Sequence, residues 1–496
     1  MSNKQKISQL TLVPFILMIF TSVFGFANMP RAFYLMGYSA IPWYVISAIA
    51  FFIPYAFMLA EYGSSFKNEK GGIYSWMEKS VNGKYAFIAT FMWYASYIIW
   101  MVNICSTIWI PLSNTIFGED RTGSWSFFGL NSTMTLGILG IIWIGFITII
   151  ATKGLEKIKK VTSVAGSAVS LLNIVLLLGA IIVLILNKGT LAEPITATSF
   201  VNSPNPSYSS IISIISFMVF AIFAFGGIEV VGGLVDQTKN PEKTFPKGIT
   251  IAAMVISIGY CIGILVVGFF TNWNTTLSSD EVNMANVAYI VMKNLGYELG
   301  MAFGTSQAVA LSIGSWIARF TGISMFLALT GAFLSIAYSP LKQLIEGTPK
   351  EIWPAKFAKI EDGMPKKAMY IQGIIVAVIV ALVSFGGEEA KAFFGKLVLM
   401  TNVAMTIPYM FISAAFPLFK RNEKIKKPFE IYKSYGLSLV MSIIVTVVVG
   451  FANVFTIIEP WVNGNIKDTL WMLAGPIIFS IIAILIYNNY EKKHLK

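Results

Sequence analysis

Histidine and cysteine are almost missing from this 496-residue chain, and charged residues are scarce. The single histidine, His494, follows the last apolar run, so no buried imidazole is available to carry protons through the protein. The two cysteines, Cys105 and Cys261, fall inside apolar runs, where we expect neither a disulfide framework nor a metal site. Charged residues make up 12% of the chain, against about 25% in a typical soluble domain, which argues against a soluble protein.

The sequence also lacks the short motifs of common membrane enzymes. It contains no GxxxxGK phosphate loop, no HExxH and no GxSxG, which argues against an ATP-driven pump and against a membrane hydrolase. No nucleophile stands in a recognisable pattern with a base. We therefore expect no catalytic residue, no cofactor and no metal, and the protein is not predicted to be an enzyme.

The chain is instead rich in hydrophobic residues, which make up 56% of it and give it a mean hydropathy of +0.72. Runs of about 20 apolar residues, the length that crosses about 30 Å of hydrocarbon, recur twelve times. The runs predict an all-α membrane protein with twelve transmembrane helices. The predicted spans are residues 11–37, 40–62, 85–113, 133–152, 162–187, 209–235, 248–271, 317–339, 368–387, 396–418, 436–458 and 469–488.

The distribution of basic residues predicts the orientation. With a cytoplasmic amino terminus, 28 of the 36 Lys and Arg residues fall in inside loops and tails, whereas no outside loop carries more than one. This asymmetry is typical of the positive-inside rule, so both termini are predicted to be cytoplasmic. We attribute the net charge of +12 to contact with anionic lipid headgroups of the bilayer and expect no nucleic-acid partner.

Glycine interrupts two of the predicted spans. Residues 24–26 (FGF) lie within the first span, and residues 225–229 (FGGIE) lie within the sixth. Inside a bilayer every freed backbone group needs a partner, so such breaks persist where they line a cavity or a ligand. The two spans are equivalent if the first ten form two halves of five, as in inverted-repeat transporters. The alternative for each break is close helix packing through small residues.

A broken helix can bind both ends of an amino acid. Amides around Val23 to Gly25 would bind the carboxylate, while carbonyls near Thr21 and around Phe223 to Phe225 would bind the ammonium. On the third span, Tyr97 and Met101 are predicted to face the same cavity. The predicted substrate-binding residues are Thr21, Ser22, Val23, Gly25, Phe223, Phe225, Gly226, Gly227, Tyr97 and Met101.

Glu229 follows the second break near the middle of the membrane. A carboxylate there costs about 2.5 to 3.5 kcal/mol unless it is paired, protonated or hydrated. Two interpretations stay open: a gating or proton-linked acid, and a structural acid that holds the break through hydrogen bonds. Among the other charged residues, Arg31 and Arg319 are predicted to reach lipid headgroups, and Glu61 to be solvated. Residues 307–316 are predicted to form a short helix over the entrance.

Further motifs carry a family resemblance over nearly the whole chain. Residues 225–229, followed by Asp236 and by residues 239–241 (KNP), resemble the sixth-span signature of the amino acid–polyamine–organocation permeases. Residues 71–76 (GGIYSW) resemble the inside loop of that superfamily. Within it, the chain is most similar to the glutamate/GABA antiporter branch and, more closely still, to YjeM-like inner-membrane permeases. The segments that carry this similarity are residues 19–28 (IFTSVFGFAN) and 451–458 (FANVFTII).

The resemblance implies a single polytopic domain, residues 1–496, in the bacterial inner membrane. A five-plus-five inverted repeat of the LeuT type would comprise residues 1–199 and 200–435. Residues 436–496 would add helices 11 and 12 and a short cytoplasmic tail. Many superfamily members have Gly-Ser-Gly in the first break, and some have a lysine in span five. Of the Gly-Ser-Gly sequence, this chain keeps only the last glycine, Gly25. Its fifth span, residues 162–187, has no ionisable side chain and so lacks the lysine.

The breaks and the resemblance together predict a secondary active transporter of amino acids, working by alternating access as an exchanger. The substrate would be an amino acid or its amine derivative, with a preference for a neutral or mildly polar side chain. A proton- or sodium-coupled symporter of the same fold is the alternative interpretation. A channel or a membrane sensor is a more distant one, and the sequence leaves the oligomeric state open.

Overall fold

The computed structural model describes residues 9–494, so the outermost residues of both predicted cytoplasmic ends lie outside it. Within this range the chain forms eighteen α helices and no strand. In the first half these are α1 Leu12–Val23, α2 Asn28–Met36, α3 Ala40–Ser47, α4 Ile53–Ser65, α5 Ile73–Ser80, α6 Gly83–Thr107, α7 Trp109–Phe117, α8 Ser132–Thr152 and α9 Leu155–Leu186. In the second half they are α10 Ile211–Phe223, α11 Pro241–Phe270, α12 Val287–Ala302, α13 Gln307–Gly347, α14 Lys366–Phe385, α15 Gly387–Ala404, α16 Ile407–Arg421, α17 Tyr435–Val462 and α18 Ile466–His494.

Eleven segments of the described chain are long and apolar enough to cross a membrane. The first, Leu12–Ser65, contains 54 residues and joins α1 to α4. Since one crossing needs about 20 residues, this segment is long enough for two crossings. The prediction of an all-helical membrane protein is confirmed.

Both predicted interruptions fall at the glycines. Residues 24–27 separate α1 from α2, and residues 224–227 separate α10 from a 3₁₀ helix, Ile228–Gln237. The tenth predicted span is also interrupted, between α15 and α16, and residues 48–52 form a π-helical turn. Neither of these last two irregularities was predicted, because neither sequence contains a glycine.

The predicted short helix at residues 307–316 is wrong. These residues are the first turns of α13, which runs for 41 residues. The separate helix of this connection is α12, which packs along the extended part of α13 through glycines. A Cβ atom on Gly296 would lie 2.7 Å from the Cα atom of Gly314. This close approach buries the apolar side of the α13 extension against α12 rather than over an entrance.

The two breaks lie in the centre of the helix bundle. Helix α1 packs against α9, α11 and α13, and the 3₁₀ helix packs against α1 and α13. Helices α17 and α18 are the least buried of the membrane-crossing segments. The interrupted helices are therefore enclosed by continuous ones, which position the chain ends on either side of each break.

One face of the bundle gathers the lysine-rich loops, and we call it the basic face. Ion pairs connect its elements: Lys67 with Glu242 at 2.5 Å, and Lys70 with Glu346 at 3.6 Å. On the same face the backbone of Leu10 pairs with the end of the 3₁₀ helix, where its amide donates to the Gln237 carbonyl at 2.8 Å. The segment that leads into α1 is thereby attached to the segment that follows the second break.

Candidate functional site

The first break presents two unpaired amides to its surroundings. The Gly25 amide donates to the hydroxyl of Tyr260 at 2.9 Å. Among residues 9–494, no acceptor contacts the amides of Phe26 and Ala27. These amides lead into the amino-terminal end of α2, where the helix dipole favours an anion. The break therefore offers hydrogen-bond donors to a carboxylate.

These donors lie just beyond the residues expected from the sequence. Val23 is the last residue of α1, and the Phe24 amide donates to the Phe20 carbonyl at 2.9 Å. The amides at the end of a helix stay bonded to the preceding turn, and free amides appear only where the next helix starts. For this reason Phe26, and not Val23, provides the first unpaired donor.

The end of α1 supplies acceptors on the other side of the first break. The hydroxyls of Thr21 and Ser22 both donate to the Met18 carbonyl at 2.9 Å. Their oxygen lone pairs stay available, and the carboxyl end of a helix carries partial negative charge. Ser22 is half-buried and Thr21 is buried. This end of the break suits a cation.

The second break approaches the first at Gly227. This residue has φ 108°, a conformation that side-chain-bearing residues rarely adopt. A Cβ atom there would lie 2.5 Å from the carbonyl oxygen of Ser22. Both the backbone conformation and the lack of space require glycine, so the approach of the two breaks depends on this residue.

The helix after the second break is a 3₁₀ helix of ten residues, where the sequence predicted a continued span. Runs of 3₁₀ helix beyond three or four residues are uncommon. Side chains of α13 stabilise this one. The side-chain amide of Gln343 and the hydroxyl of Ser339 both donate to the Val230 carbonyl. The Lys342 ammonium donates to the Gly233 carbonyl at 2.8 Å. Backbone acceptors that a regular α helix would satisfy internally are thus bonded to α13.

The hydroxyl of Tyr260, from α11, lies between the two breaks. It accepts from the Gly25 amide and lies 3.2 Å from both the Val23 and the Ala224 carbonyls, one in each break. The ring stacks on Phe24, with 4.7 Å between centroids. Sequence reasoning missed this residue. The available signal was a single tyrosine in an otherwise aliphatic stretch of α11.

The Glu229 carboxylate is fully buried and accepts four hydrogen bonds. The Trp93 indole donates at 3.0 Å, and the hydroxyls of Tyr97 and Tyr409 donate at 3.2 Å. The other carboxylate oxygen accepts from the Gly227 amide at 3.2 Å. Glu229 thus connects the second break to α6 and α16. Trp93 and Tyr409 were not among the predicted site residues, although both are polar aromatics within apolar spans.

The remaining predicted residues, Phe225, Met101 and Phe223, differ in their burial. Phe225 is fully buried and stacks on Phe52 at 4.7 Å. Met101 is buried one turn beyond Tyr97 on α6. Phe223, by contrast, keeps partial exposure.

Some residues of the two breaks and their flanks are partly exposed, although most of their neighbours in the chain are buried. The partly exposed residues are Ser22, Gly25, Asn28, Phe223, Ala224 and Gly226. Four of these six were predicted from the sequence.

On the basic face, buried ion pairs join neighbouring elements of the bundle. Lys342, with 1% of its side chain exposed, contacts Asp236 at 2.5 Å. Lys420 contacts Glu61 at 2.9 Å, and Glu61 also accepts from the amides of Ile431 and Tyr432 at 2.7 Å. These contacts join the end of the 3₁₀ helix to α13, and α4 to the loop before α17.

One prediction about a charged residue of this face is therefore wrong. Glu61 was expected to be solvated but is fully buried, because residues 422–434 fold across the end of α4 and bond to it. Lys342 lies within α13, which pairs it with Asp236.

The opposite face uses arginines in a different way from the one predicted. Arg31 donates to the Met284 carbonyl at 2.7 Å, and Arg319 donates to the Ile116 and Phe117 carbonyls. Both guanidinium groups thus bond to backbone oxygens of the protein, where the sequence predicted lipid headgroups. The α12 connection and the end of α7 bring these carbonyls within reach.

Comparisons with known proteins agree with this architecture. The family model described as "Amino acid permease" matches residues 10–484. The chain is 52% identical over 489 residues to the "Inner membrane transporter YjeM" of Salmonella typhimurium, covering 98% of this chain and 97% of the relative. The protein of the same name from Escherichia coli K12 is 52% identical over 486 residues, with the same coverage. The "Aspartate/glutamate permease AcaP" of Lactococcus lactis subsp. cremoris is 27% identical over 486 residues, covering 94% and 91%.

The family match extends over almost the entire chain, and the relatives are transporters and not enzymes. Together with the membrane-crossing helices, this makes the protein a multi-pass transporter of the inner membrane. The predicted resemblance is confirmed. The chain belongs to the amino acid permease family, whose members transport amino acids.

Proposed function

We propose that this protein is a secondary active exchanger of amino acids that works by alternating access around its two broken helices. The observation that supports this most strongly is the close approach of the two breaks, where the hydroxyl of Tyr260 contacts both. Each break exposes helix ends of opposite partial charge. A small zwitterion is the ligand that such a pair of ends recognises.

In this proposal the substrate carboxylate accepts from the Phe26 and Ala27 amides, just beyond the predicted segment Val23 to Gly25. The ammonium donates to the end of α1, around Thr21 and Ser22, and to carbonyls near Phe223. The hydroxyl of Tyr260 fixes the distance between the two sets, because it bonds to both backbones. Glu229 holds the geometry of the second break.

The substrate side chain is proposed to be neutral or mildly polar. The Glu229 carboxylate already accepts four hydrogen bonds, and Arg31 donates to a backbone carbonyl. Neither is therefore a free counter-ion for a charged substrate. One relative is named as an aspartate/glutamate permease, so transport of acidic amino acids is the main competing outcome.

Alternating access requires one face to open as the other closes. The ion pairs Lys342–Asp236 and Lys420–Glu61 support a closed basic face in this conformation. We propose that the basic face is cytoplasmic, that Leu12–Ser65 crosses twice to give twelve spans, and that residues 1–199 and 200–435 form inverted repeats. Residues 436–496 then provide the two additional helices.

Counterflow in proteoliposomes tests this proposal. The purified protein is screened with the twenty amino acids, GABA and common decarboxylation products, at acidic and at neutral pH. An exchanger takes up labelled substrate only when counter-substrate is present inside, whatever the imposed proton or sodium gradient. Uptake that needs an ion gradient and no internal substrate would make the protein a symporter. Flux that does not saturate would indicate a channel.

A further inference from the structure

A cavity of about 440 Å³ opens on the basic face, between the start of α11 and the loop before α17. It lies away from the two breaks. Part of its wall is apolar, formed by Pro246, Ile251, Pro428, Phe429 and Ile431. The remaining lining residues are polar or charged: Glu242, Lys243, Lys247 and Thr250.

The charge of this cavity is positive. Lys243 and Lys247 are exposed, and among residues 9–494 neither forms an ion pair. Glu242 is the only acidic residue among the lining residues, and it pairs with Lys67 at 2.5 Å. Three lysines, Lys67, Lys243 and Lys247, thus surround a single carboxylate, and the resulting excess of positive charge suits an anionic ligand.

The cavity continues onto the lipid-facing side of α11. From Lys243, the exposed positions lie four or seven residues apart, with Val255 beside Met254, which places them on one helix face. Lys247 lies one turn further, and large apolar residues follow. The exposed apolar residues of this stripe are Met254, Val255, Ile258 and Ile262. A ligand seated here would have its charged end at the lysines and an apolar tail along the stripe.

We propose that this cavity binds the headgroup of an anionic phospholipid. The phosphodiester accepts hydrogen bonds from Lys243 and Lys247, and one acyl chain lies along the α11 stripe. A zwitterionic headgroup suits the cavity less, because its own ammonium would face two lysines. The headgroup also contacts Ile431, whose amide bonds to Glu61. A bound lipid would therefore stabilise the loop that covers the buried Glu61–Lys420 pair.

Native mass spectrometry of the full chain in detergent, titrated with phosphatidylglycerol, tests the proposal without requiring transport. The variant Lys243→Gln/Lys247→Gln should weaken the tightest binding step at least about tenfold. The matched control is Lys153→Gln/Lys157→Gln, which removes two exposed lysines at the junction of α8 and α9. It should bind as the wild type does.

Three results would overturn the proposal. Equal binding by Lys243→Gln/Lys247→Gln and by the control would place the lipid elsewhere. Equal affinity for phosphatidylcholine would remove the role of charge. Displacement of the lipid by millimolar inorganic phosphate would identify a free anion as the ligand. Because only binding is measured, these outcomes do not depend on whether the protein exchanges amino acids.

Discussion

The two breaks of this transporter are built in opposite ways. The first has one glycine and no charged residue, and its Gly25 amide bonds to one hydroxyl from α11. The second has two glycines and a buried acid, Glu229, held by donors from α6 and α16. The second break is thus held by a buried carboxylate that accepts from two other helices, whereas the first is bonded to α11 through one hydroxyl. From this comparison we propose that the second break fixes the geometry of the site while the first receives the ligand.

Replacing Gly227 by alanine should have the largest effect on stability, because it disrupts the close approach of the two breaks. A left-handed conformation costs a side-chain-bearing residue about 1–2 kcal/mol, and crowding against the Ser22 carbonyl adds about 1–3 kcal/mol. Gly189→Ala is the matched control, since its φ is 83° and nothing lies within 4 Å of the added Cβ. Thermal unfolding in detergent should show a loss of stability in Gly227→Ala that is at least about twice the loss in the control. Equal losses would show that the close approach is unimportant.

Glu229→Gln should have the next largest effect. The carboxamide keeps the shape but turns one acceptor into a donor, facing groups that also donate. We expect about 1–3 kcal/mol of destabilisation and a large fall in counterflow rate. Glu388→Gln, at a side chain with 92% exposure, serves as control. Wild-type stability and transport in Glu229→Gln would contradict a structural role for this carboxylate.

Tyr260→Phe sharpens the comparison by removing the one hydroxyl that contacts both breaks. The Gly25 amide loses its acceptor, at a cost of about 1 kcal/mol in stability. The larger consequence should be functional, a rise of about tenfold in the substrate concentration for half-maximal counterflow. Tyr435→Phe, at an exposed tyrosine, should change neither quantity. Unchanged half-saturation in Tyr260→Phe would remove the hydroxyl from the site.

The sequence predicted the breaks well because their cause is local. Glycine weakens a helix wherever it occurs, and within a long apolar run its position is visible. The burial of Glu61 was not predictable in this way, since it depends on residues 422–434, more than 350 positions later in the chain. The role of Tyr260 was not predicted for the same reason. Its role requires α11 to lie against both broken helices, which is a property of the fold.

The most direct test of the central claim is counterflow by Gly25→Leu beside Gly145→Leu. A Cβ on Gly25 would meet the Asn28 side-chain amide at 3.0 Å, and a leucine would fill the accessible surface of the first break. Gly145 is exposed on α8, with nothing within 4 Å of an added Cβ. We predict that Gly25→Leu keeps a wild-type thermal midpoint and loses counterflow, while Gly145→Leu retains both. Exchange by Gly25→Leu at wild-type affinity would contradict a substrate site at the first break.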